Sequence, residues 1–193
     1  MKTLYFVRHG QTLFNRQKKI QGWCDSPLTD LGIRQAEYTG NYFKEKGIVF
    51  DHAYSSTSER CSDTLELMTD MNYTRLKGLK EWNFGEFEGK DECLNPKGVY
   101  GDFFVPYGGE SQEEIRERID TTIRGIMDQS DHQNVLIVSH GGALINFFLQ
   151  YEEYCEFEFS GEMLKKINGG FIKFEYENGL FKPVDIFFTD QVK

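Results

Sequence analysis

The amino-acid sequence predicts an α/β fold in three layers, α/β/α, with a mostly parallel β-sheet at the centre. The main observation is that short apolar runs fit for buried strands alternate along the chain with amphipathic segments of helical period. Such alternation is typical of a parallel sheet with helices on both faces. The chain has 193 residues, which is enough for one domain of this kind and too short for two. We therefore expect a single domain over residues 1–193.

The first half of the chain provides three predicted strands and two predicted helices. Thr3–Val7 is a short apolar run that fits a strand buried on both faces, and a polar loop follows it. Thr29 is a candidate N-cap of a helix that ends at Gly47. The elements after this helix are a strand over Asp51–Tyr54, a helix from about Ser58 and a strand over Tyr73–Lys77.

An irregular region separates the two halves. Residues 78–109 contain seven Gly and two Pro, together with an unusual load of Tyr, Phe and Trp. We interpret about 89–109 as a lid-like insertion. Its aromatic residues at 100–107 either contact substrate or belong to the core, and the sequence leaves both interpretations open.

The second half opens with a long helix and ends in strands. Ser111 and Glu114 form a capping box, and isoleucines recur after them with the helical period. The elements that follow are a strand over Val135–Val138, a helix from Gly141 to about Gln150, and strands over Phe171–Tyr176 and Val184–Phe188.

The composition argues against several classes of function. The formal net charge is −9 and the acidic residues are spread along the chain, which disfavours nucleic acid and an anionic membrane surface as partners. No run approaches the roughly 18 apolar residues of a membrane span. A chain that opens with a strand predicts no signal peptide. We therefore expect a cytoplasmic protein.

The cysteine and histidine patterns predict no metal centre. Four cysteines form no C-x-x-C pair, as expected of isolated reduced thiols: Cys24, Cys61, Cys93 and Cys155. No pair of candidate ligands has the spacing of a zinc site, so we predict no metal and no other cofactor. His52 and His132 flank short strands and are expected to be solvated.

Three predicted strands end in polar clusters. The first strand runs into Arg8-His9-Gly10, and the fourth runs into Ser139-His140-Gly141-Gly142. The second is followed by Ser55-Ser56, with Arg60 in the first turn of the next helix. Because active sites of such sheets lie at the carboxyl ends of the strands, we expect these groups to meet in one hollow.

That combination predicts phosphate chemistry. Arg side chains and helix N-termini bind phosphate or carboxylate, and a His in such a cradle can attack phosphorus. Phosphoryl transfer mainly requires groups that stabilise charge on the non-bridging oxygens, which Arg8, Arg60 and His140 could supply without a metal. An acid to protonate the leaving alcohol is still needed, and Glu81 follows the third strand where such an acid would lie.

The residues together resemble the histidine phosphatase superfamily, in its phosphoglycerate-mutase-like branch. Five segments carry the resemblance in the family's order: RHGQTLFNRQKKIQGWCDSPLTDLGIRQA (8–36), YSSTSERCSDT (54–64), LKEWNFGEFEG (79–89), GES (109–111) and VSHGG (138–142). A single RHG occurs by chance, whereas all five together are highly specific. The resemblance implies a phosphoglycerate-mutase-like fold.

The resemblance also implies a role for each site residue. His9 would be phosphorylated during turnover, and Glu81 would donate a proton and later activate water. The phosphoryl group would be bound by Arg8, Arg60, His140 and Asn15, with Gln21, Gly22 and Gly141 lining the substrate site. Asn15 could equally brace its own loop. Thr57 and Ser58 replace the family's proline and leucine, so the loop before Arg60 departs from the pattern.

Phosphatase is favoured over mutase. The mutases that this chain resembles carry a longer basic insertion and an Arg directly after the catalytic Glu. Here that position is Trp82, and the only cations between Gly89 and Gly109 are Lys90 and Lys97. We therefore predict a metal-independent phosphatase acting on a small phosphomonoester, with a small mutase-type phosphotransferase as the alternative. A catalytically weak module that binds a phospho-ligand is a further alternative, and a homodimer stays open.

Overall fold

The computed structural model describes residues 1–160, 162–163 and 166–193. Six strands form one sheet: β1 Lys2–Arg8, β2 His52–Ser56, β3 Thr74–Leu76, β4 Asn134–Ser139, β5 Phe171–Glu177 and β6 Leu180–Phe187. The α-helices of the described residues are α1 Leu13–Gln17, α2 Asp30–Glu45, α3 Glu59–Met68, α4 Gln112–Met127 and α5 Gly141–Phe148. Among the described residues, no helix combines the length and apolar character that crossing a bilayer requires.

The strands are ordered β3-β2-β4-β1-β5-β6. Pairing is parallel from β3 through β2 and β4 to β1, and antiparallel from β1 through β5 to β6. Arg8 lies opposite Ser139 at the carboxyl ends of β1 and β4, and Ser55 of β2 lies opposite Val138. Three strands with polar ends are therefore adjacent, and they end at the same edge of the sheet.

Helices cover both faces of the sheet, so the three-layer prediction is confirmed. Successive residues of β1 alternate between two apolar clusters: Leu4 and Phe6 face one, and Tyr5 and Val7 face the other. The first cluster contains the isoleucines of α4 and buried residues of α5, and the second contains residues of α2 and α3. Each fully buried side chain of this size contributes about 1.5–3 kcal/mol to folding.

The predicted helix starts are confirmed. The Thr29 hydroxyl accepts a hydrogen bond from the Gly32 N–H at 3.1 Å. The Ser111 hydroxyl accepts from the Glu114 N–H at 3.1 Å, and the Glu114 carboxylate accepts from the Ser111 N–H at 2.7 Å. Each cap satisfies N–H groups that have no partner within the first turn of the helix.

Several boundaries differ from the predictions. The polar loop after β1 contains a short helix, α1, which begins at a Thr12–Asn15 capping box. β3 spans only Thr74–Leu76, the three residues that pair with β2. β6 begins four residues earlier than expected, at Leu180, because Asn178 and Gly179 form a two-residue turn with positive φ at both positions. Asn-Gly is the commonest sequence of such hairpin turns.

The segment expected to form a lid is anchored to the first loop. Ile20 and Lys19 pair with its beginning: the Ile20 N–H donates to the Lys90 carbonyl at 2.8 Å, and Lys19 forms a 2.6 Å ion pair with Asp91. Phe104 is fully buried, whereas Phe103 is 37% exposed. The aromatic residues of the segment therefore divide between core and surface.

Candidate active site

The sheet brings the three polar strand ends into contact. The His9 N–H donates to the Ser139 carbonyl at 3.0 Å, which holds the end of β1 beside the end of β4. The rings of His9 and His140 lie 5.4 Å apart with an interplanar angle of 70°. Both imidazoles are buried, and the fully buried side chain of Arg60 lies against both of them. The expected meeting of these groups at the carboxyl edge is therefore observed.

His9 presents one nitrogen as a lone pair. Its Nδ1 lies 2.8 Å from the Gly10 carbonyl oxygen, and because a carbonyl only accepts, Nδ1 carries the proton. Nε2 then accepts from Arg60 Nε at 3.2 Å. Burial, followed by the charges of Arg60 and Arg8, lowers the pKa of His9 well below its ordinary value. A neutral imidazole with its Nε2 lone pair turned into the site has the form that a nucleophile requires.

His140 has the opposite tautomer. Its Nδ1 accepts from Arg60 Nη2 at 2.8 Å, and its Nε2 donates to the Ser56 hydroxyl at 2.8 Å. Burial and the charge of Arg60 lower the pKa of His140 well below its ordinary value. His140 thus links the end of β2 to the Arg60 guanidinium.

Arg60 is held by the first loop as well as by the two imidazoles. Its Nη1 donates to the Cys24 carbonyl at 2.9 Å and to the Asp25 carboxylate at 2.8 Å, and its Nη2 donates to the Gly22 carbonyl at 2.8 Å. These contacts fix the plane of the guanidinium fork. All five N–H donors of the guanidinium are engaged in this way, and the two that lie on the imidazoles of His9 and His140 are the ones that phosphoryl oxygens can take over.

The start of α5 carries two glycines because Arg8 and Glu81 lie directly against it. A methyl group built on Gly141 would lie 2.9 Å from Nε of Arg8, and one built on Gly142 would lie 2.5 Å from Oε1 of Glu81. Any side chain at either position would displace a charged group of the site. The Gly-Gly pair after His140 therefore leaves both charged groups in the positions seen here.

Glu81 lies at the N-terminus of α5. Its Oε1 accepts from the N–H groups of Trp82 and Ala143, both at 2.8 Å, and its Oε2 accepts from the Gly142 N–H at 2.7 Å. Burial raises the pKa of this carboxyl, against the lowering effects of the backbone N–H groups and of Arg60 and Arg8. A carboxyl whose pKa is raised in a buried site can serve as a general acid near neutral pH.

The three remaining predicted residues lie around this centre. The Oδ1 atom of Asn15 accepts from the Thr12 N–H at 3.1 Å within the capping box of α1, so Asn15 braces its own loop. Gln21 also contacts Thr12, and with its amide turned over, its oxygen accepts from Arg60 Nη1 at 3.3 Å. Gly22 contributes its carbonyl to Arg60. Of these three, only Gln21 and Gly22 contact the charged groups of the site through their own atoms.

Both imidazoles are expected to resist protonation. Their lowered pKa values mean that the neutral form persists on acidification through pH 6.5, where an ordinary histidine is half protonated. Long-range ¹H–¹⁵N spectra of the ligand-free protein should show Nδ1–H for His9 and Nε2–H for His140, unchanged down to about pH 6. A titration midpoint at or above the ordinary histidine value for either ring would contradict this arrangement.

Several residues that the sequence analysis did not select support the site. Arg118 and Glu110 form a 2.7 Å ion pair, and Arg118 donates to the carbonyls of Gly78, Lys80 and Glu81. These bonds fix the loop that carries Glu81. Glu88 accepts from four backbone N–H groups, and Asp25 pairs with Arg60. No local pattern marks these residues, since most of their partners lie 35 or more positions away in the sequence.

A second group of histidines lies at the opposite edge of the sheet. His52, Asp131 and His132 place their ligand atoms within 4.8 Å of one another. The two rings stack 3.6 Å apart at an interplanar angle of 6°, so their nitrogen lone pairs lie in parallel planes and do not converge as a tetrahedral ion requires. The expectation that His132 is solvated was wrong, because it is buried and bonded to the Tyr54 hydroxyl at 2.6 Å.

A family model and a curated relative both point to the same protein family. The family model described as "Histidine phosphatase superfamily (branch 1)" matches residues 4–184. The chain is 36% identical over 157 residues to a protein of Hydrogenobacter thermophilus named "Putative phosphoserine phosphatase 2", and the match covers 75% of each chain.

Two solved structures show the same fold. The chain is 27% identical to the phosphoglycerate mutase of Bacillus anthracis, with a TM-score of 0.80 over 94% of this chain and 91% of that one. It is also 27% identical to the phosphoserine phosphatase of Entamoeba histolytica, solved with 3-phosphoglyceric acid, with a TM-score of 0.78 over 100% of both chains. The phosphoglycerate-mutase-like fold expected from the sequence is therefore confirmed.

Proposed function

The chain belongs to the histidine phosphatase superfamily, and from this premise we propose that it is a metal-independent phosphatase that hydrolyses phosphomonoesters through a phosphohistidine on His9. The observation that carries the proposal is the hydrogen bonding of the two ring nitrogens of His9. Its Nδ1 proton is held by the Gly10 carbonyl, and its Nε2 lone pair faces Arg60 within a buried, cationic site. This geometry supports attack of Nε2 on phosphorus.

The first half of the reaction transfers the phosphoryl group to the protein. The Nε2 lone pair forms a bond to phosphorus as the bond from phosphorus to the ester oxygen breaks. Arg8 and Arg60 stabilise the charge on the non-bridging oxygens. Protonated Glu81 gives its proton to the leaving oxygen, so that an alcohol departs and Glu81 becomes a carboxylate.

The second half returns the site to its starting state. The Glu81 carboxylate takes a proton from water, and the water oxygen bonds to phosphorus as the N–P bond breaks. His9 recovers its neutral form and inorganic phosphate is released. A bound phosphoryl dianion favours the protonated form of the His140 imidazole. The Nδ1 atom of His140 would then donate a hydrogen bond to the dianion.

Phosphoserine is the first substrate to test. Two of the proteins described above, those of H. thermophilus and E. histolytica, carry the name phosphoserine phosphatase. The B. anthracis structure carries the name phosphoglycerate mutase, which keeps phosphotransfer as the second candidate. Hydrolysis is favoured because Trp82, and not a cation, follows Glu81. Its ring is buried, and its Nε1 donates to the Glu110 carbonyl at 2.7 Å.

Hydrolysis is expected to continue without divalent metal. Arg8 and Arg60 would supply the positive charge at the phosphoryl oxygens that a metal ion supplies in other enzymes. The test is release of inorganic phosphate from phosphoserine, 3-phosphoglycerate and p-nitrophenyl phosphate, with EDTA and with added Mg²⁺ or Zn²⁺. Equal rates with EDTA and with metal would support the proposal. A loss in EDTA that metal restores would contradict it, and conversion of 3-phosphoglycerate to 2-phosphoglycerate without phosphate release would favour the mutase.

A further inference from the structure

We propose that Glu88 is a positioning residue of the phosphoryl site, which acts by holding the loop at 22–25 in the shape that orients Arg60. The inference rests on the proposed function in one respect, namely that Arg60 binds the phosphoryl group. Glu88 itself does not touch Arg60 through any hydrogen bond among the described residues. Its effect on the site passes through the backbone of the loop.

The carboxylate of Glu88 is surrounded by backbone donors. Oε2 accepts from the N–H groups of Gly22 at 3.0 Å and Cys24 at 3.1 Å, and Oε1 accepts from those of Trp23 at 2.8 Å and Phe84 at 3.1 Å. Three of the donors are consecutive along the chain. Consecutive N–H groups that point into one concavity form an anion-binding nest, and Glu88 is the anion that occupies this one.

Carbonyl groups of the same loop face Arg60, and one of them shares its peptide group with the Trp23 N–H of the nest. The carbonyls of Gly22 and Cys24 accept from Arg60 Nη2 and Nη1 at 2.8 and 2.9 Å. A peptide whose N–H is drawn toward Glu88 turns its neighbouring carbonyl the other way, so the nest and the Arg60 cradle are two sides of one loop conformation. The loop therefore transmits the position of Glu88 to the guanidinium.

The loop also reaches the predicted acid. The indole N–H of Trp23 donates to the Glu81 carbonyl at 3.0 Å. Gly22 packs so closely that an added methyl group would lie 2.1 Å from the Trp82 carbonyl oxygen and 2.4 Å from Oε1 of Glu88. The geometry leaves little room for the loop to adopt another shape while Glu88 stays in place.

Glutamine is the informative replacement at this position. A carboxylate offers about four acceptor sites on two oxygens, whereas a glutamine amide offers two sites on one oxygen and turns its NH₂ group toward backbone N–H donors. Glu88→Gln keeps the size of the side chain and removes its negative charge together with the match to the nest. Glu86→Gln is the matched control, because Glu86 lies two residues away on the same turn and is exposed.

The primary measurement is the affinity for inorganic phosphate, by isothermal titration calorimetry in EDTA. We expect Glu88→Gln to weaken phosphate binding about tenfold, as expected when hydrogen bonds that orient a charged group are lost, and Glu86→Gln to match the wild type. Turnover of aryl and alkyl phosphates should fall to a similar degree in Glu88→Gln, since both share the phosphoryl group. Wild-type phosphate affinity in a folded Glu88→Gln protein would overturn the inference.

A double-mutant cycle separates positioning from a general loss of structure. In an Arg60→Ala background, Glu88→Gln should change phosphate affinity by less than about twofold, because the group that it orients is already missing. If the two substitutions weaken phosphate binding by factors that simply multiply in the double variant, Glu88 acts by another route. Should Glu88→Gln be unfolded at the assay temperature, Glu88→Asp keeps the charge and shortens the reach, and at least about threefold weaker binding is expected of it. Unchanged affinity in that variant would also overturn the inference.

Failure of the proposed function gives a different result. A protein that binds phosphate, loses that binding in Glu88→Gln and hydrolyses no phosphomonoester would count against the phosphatase and support the role of Glu88. A wild-type protein without measurable phosphate binding would overturn the role of Arg60 and, with it, that of Glu88.

Discussion

His9→Ala is expected to lower kcat by on the order of 10³-fold or more, because the variant lacks the atom that would carry the phosphoryl group. The measurement is turnover of p-nitrophenyl phosphate at saturating substrate. Inorganic phosphate should still bind, since Arg60 loses only its bond to His9 and keeps those to the loop and to His140. Loss of the bond between His9 and the Gly10 carbonyl costs about 1–3 kcal/mol, so thermal unfolding should show a folded protein at 25 °C.

Trapping of the intermediate identifies the nucleophile directly. Wild-type protein quenched during turnover should carry acid-labile phosphate, and the tautomer inferred for His9 predicts that the phosphate lies on Nε2. Recovery of the phosphate on a Ser, Cys or Asp would contradict the assignment. A His9→Ala variant that retained a tenth of the wild-type kcat would also contradict the assignment of His9 as the nucleophile.

Glu81→Gln is expected to harm alkyl phosphates more than aryl phosphates. An alkoxide leaves poorly and needs a proton in the transition state, whereas p-nitrophenolate leaves readily without one. We expect kcat/KM for phosphoserine to fall about 10²-fold. The fall for p-nitrophenyl phosphate should be at least about tenfold smaller, which corresponds to a difference of ~1.4 kcal/mol in transition-state stabilisation. Parallel assays of the two substrates with wild type and variant give this ratio.

The structure specifies the controls for this experiment. A glutamine amide at position 81 would turn its NH₂ group toward the backbone N–H of Gly142 or Ala143, so a loss of stability of about 1–3 kcal/mol is expected and should be measured by thermal unfolding. Arg60→Ala should depress both substrates alike. Equal losses on both substrates for Glu81→Gln would place the acid elsewhere.

The fold could be predicted because its signals are local. The run Thr3–Val7 is apolar throughout and became a central strand, and the period of the α4 isoleucines matched one buried helix face. The start of β6 was predicted wrongly although a local signal is present, since Asn178-Gly179 is a hairpin-turn sequence. The helix α1 was missed because five residues are too few for a periodic pattern.

The candidate site was predictable to the extent that its residues follow strand ends. Arg8, His9 and His140 are placed by β1 and β4, and the parallel order of those strands brings them together. The sequence left open whether Asn15 binds the phosphoryl group or braces its loop, and the binding role stays a prediction. The bracing role is seen in the capping geometry of α1.

The sequence by itself determined the layer architecture, the helix caps and the set of charged groups at the carboxyl edge, because each depends on residues within a few positions of one another. The tertiary structure alone decided the tautomers of the two histidines, the raised pKa of Glu81 and the loop supports around Arg60. The physical reason is that these properties depend on backbone donors and acceptors supplied by distant segments. Glu88 and Gly22 are 66 residues apart, and no local pattern records their hydrogen bond.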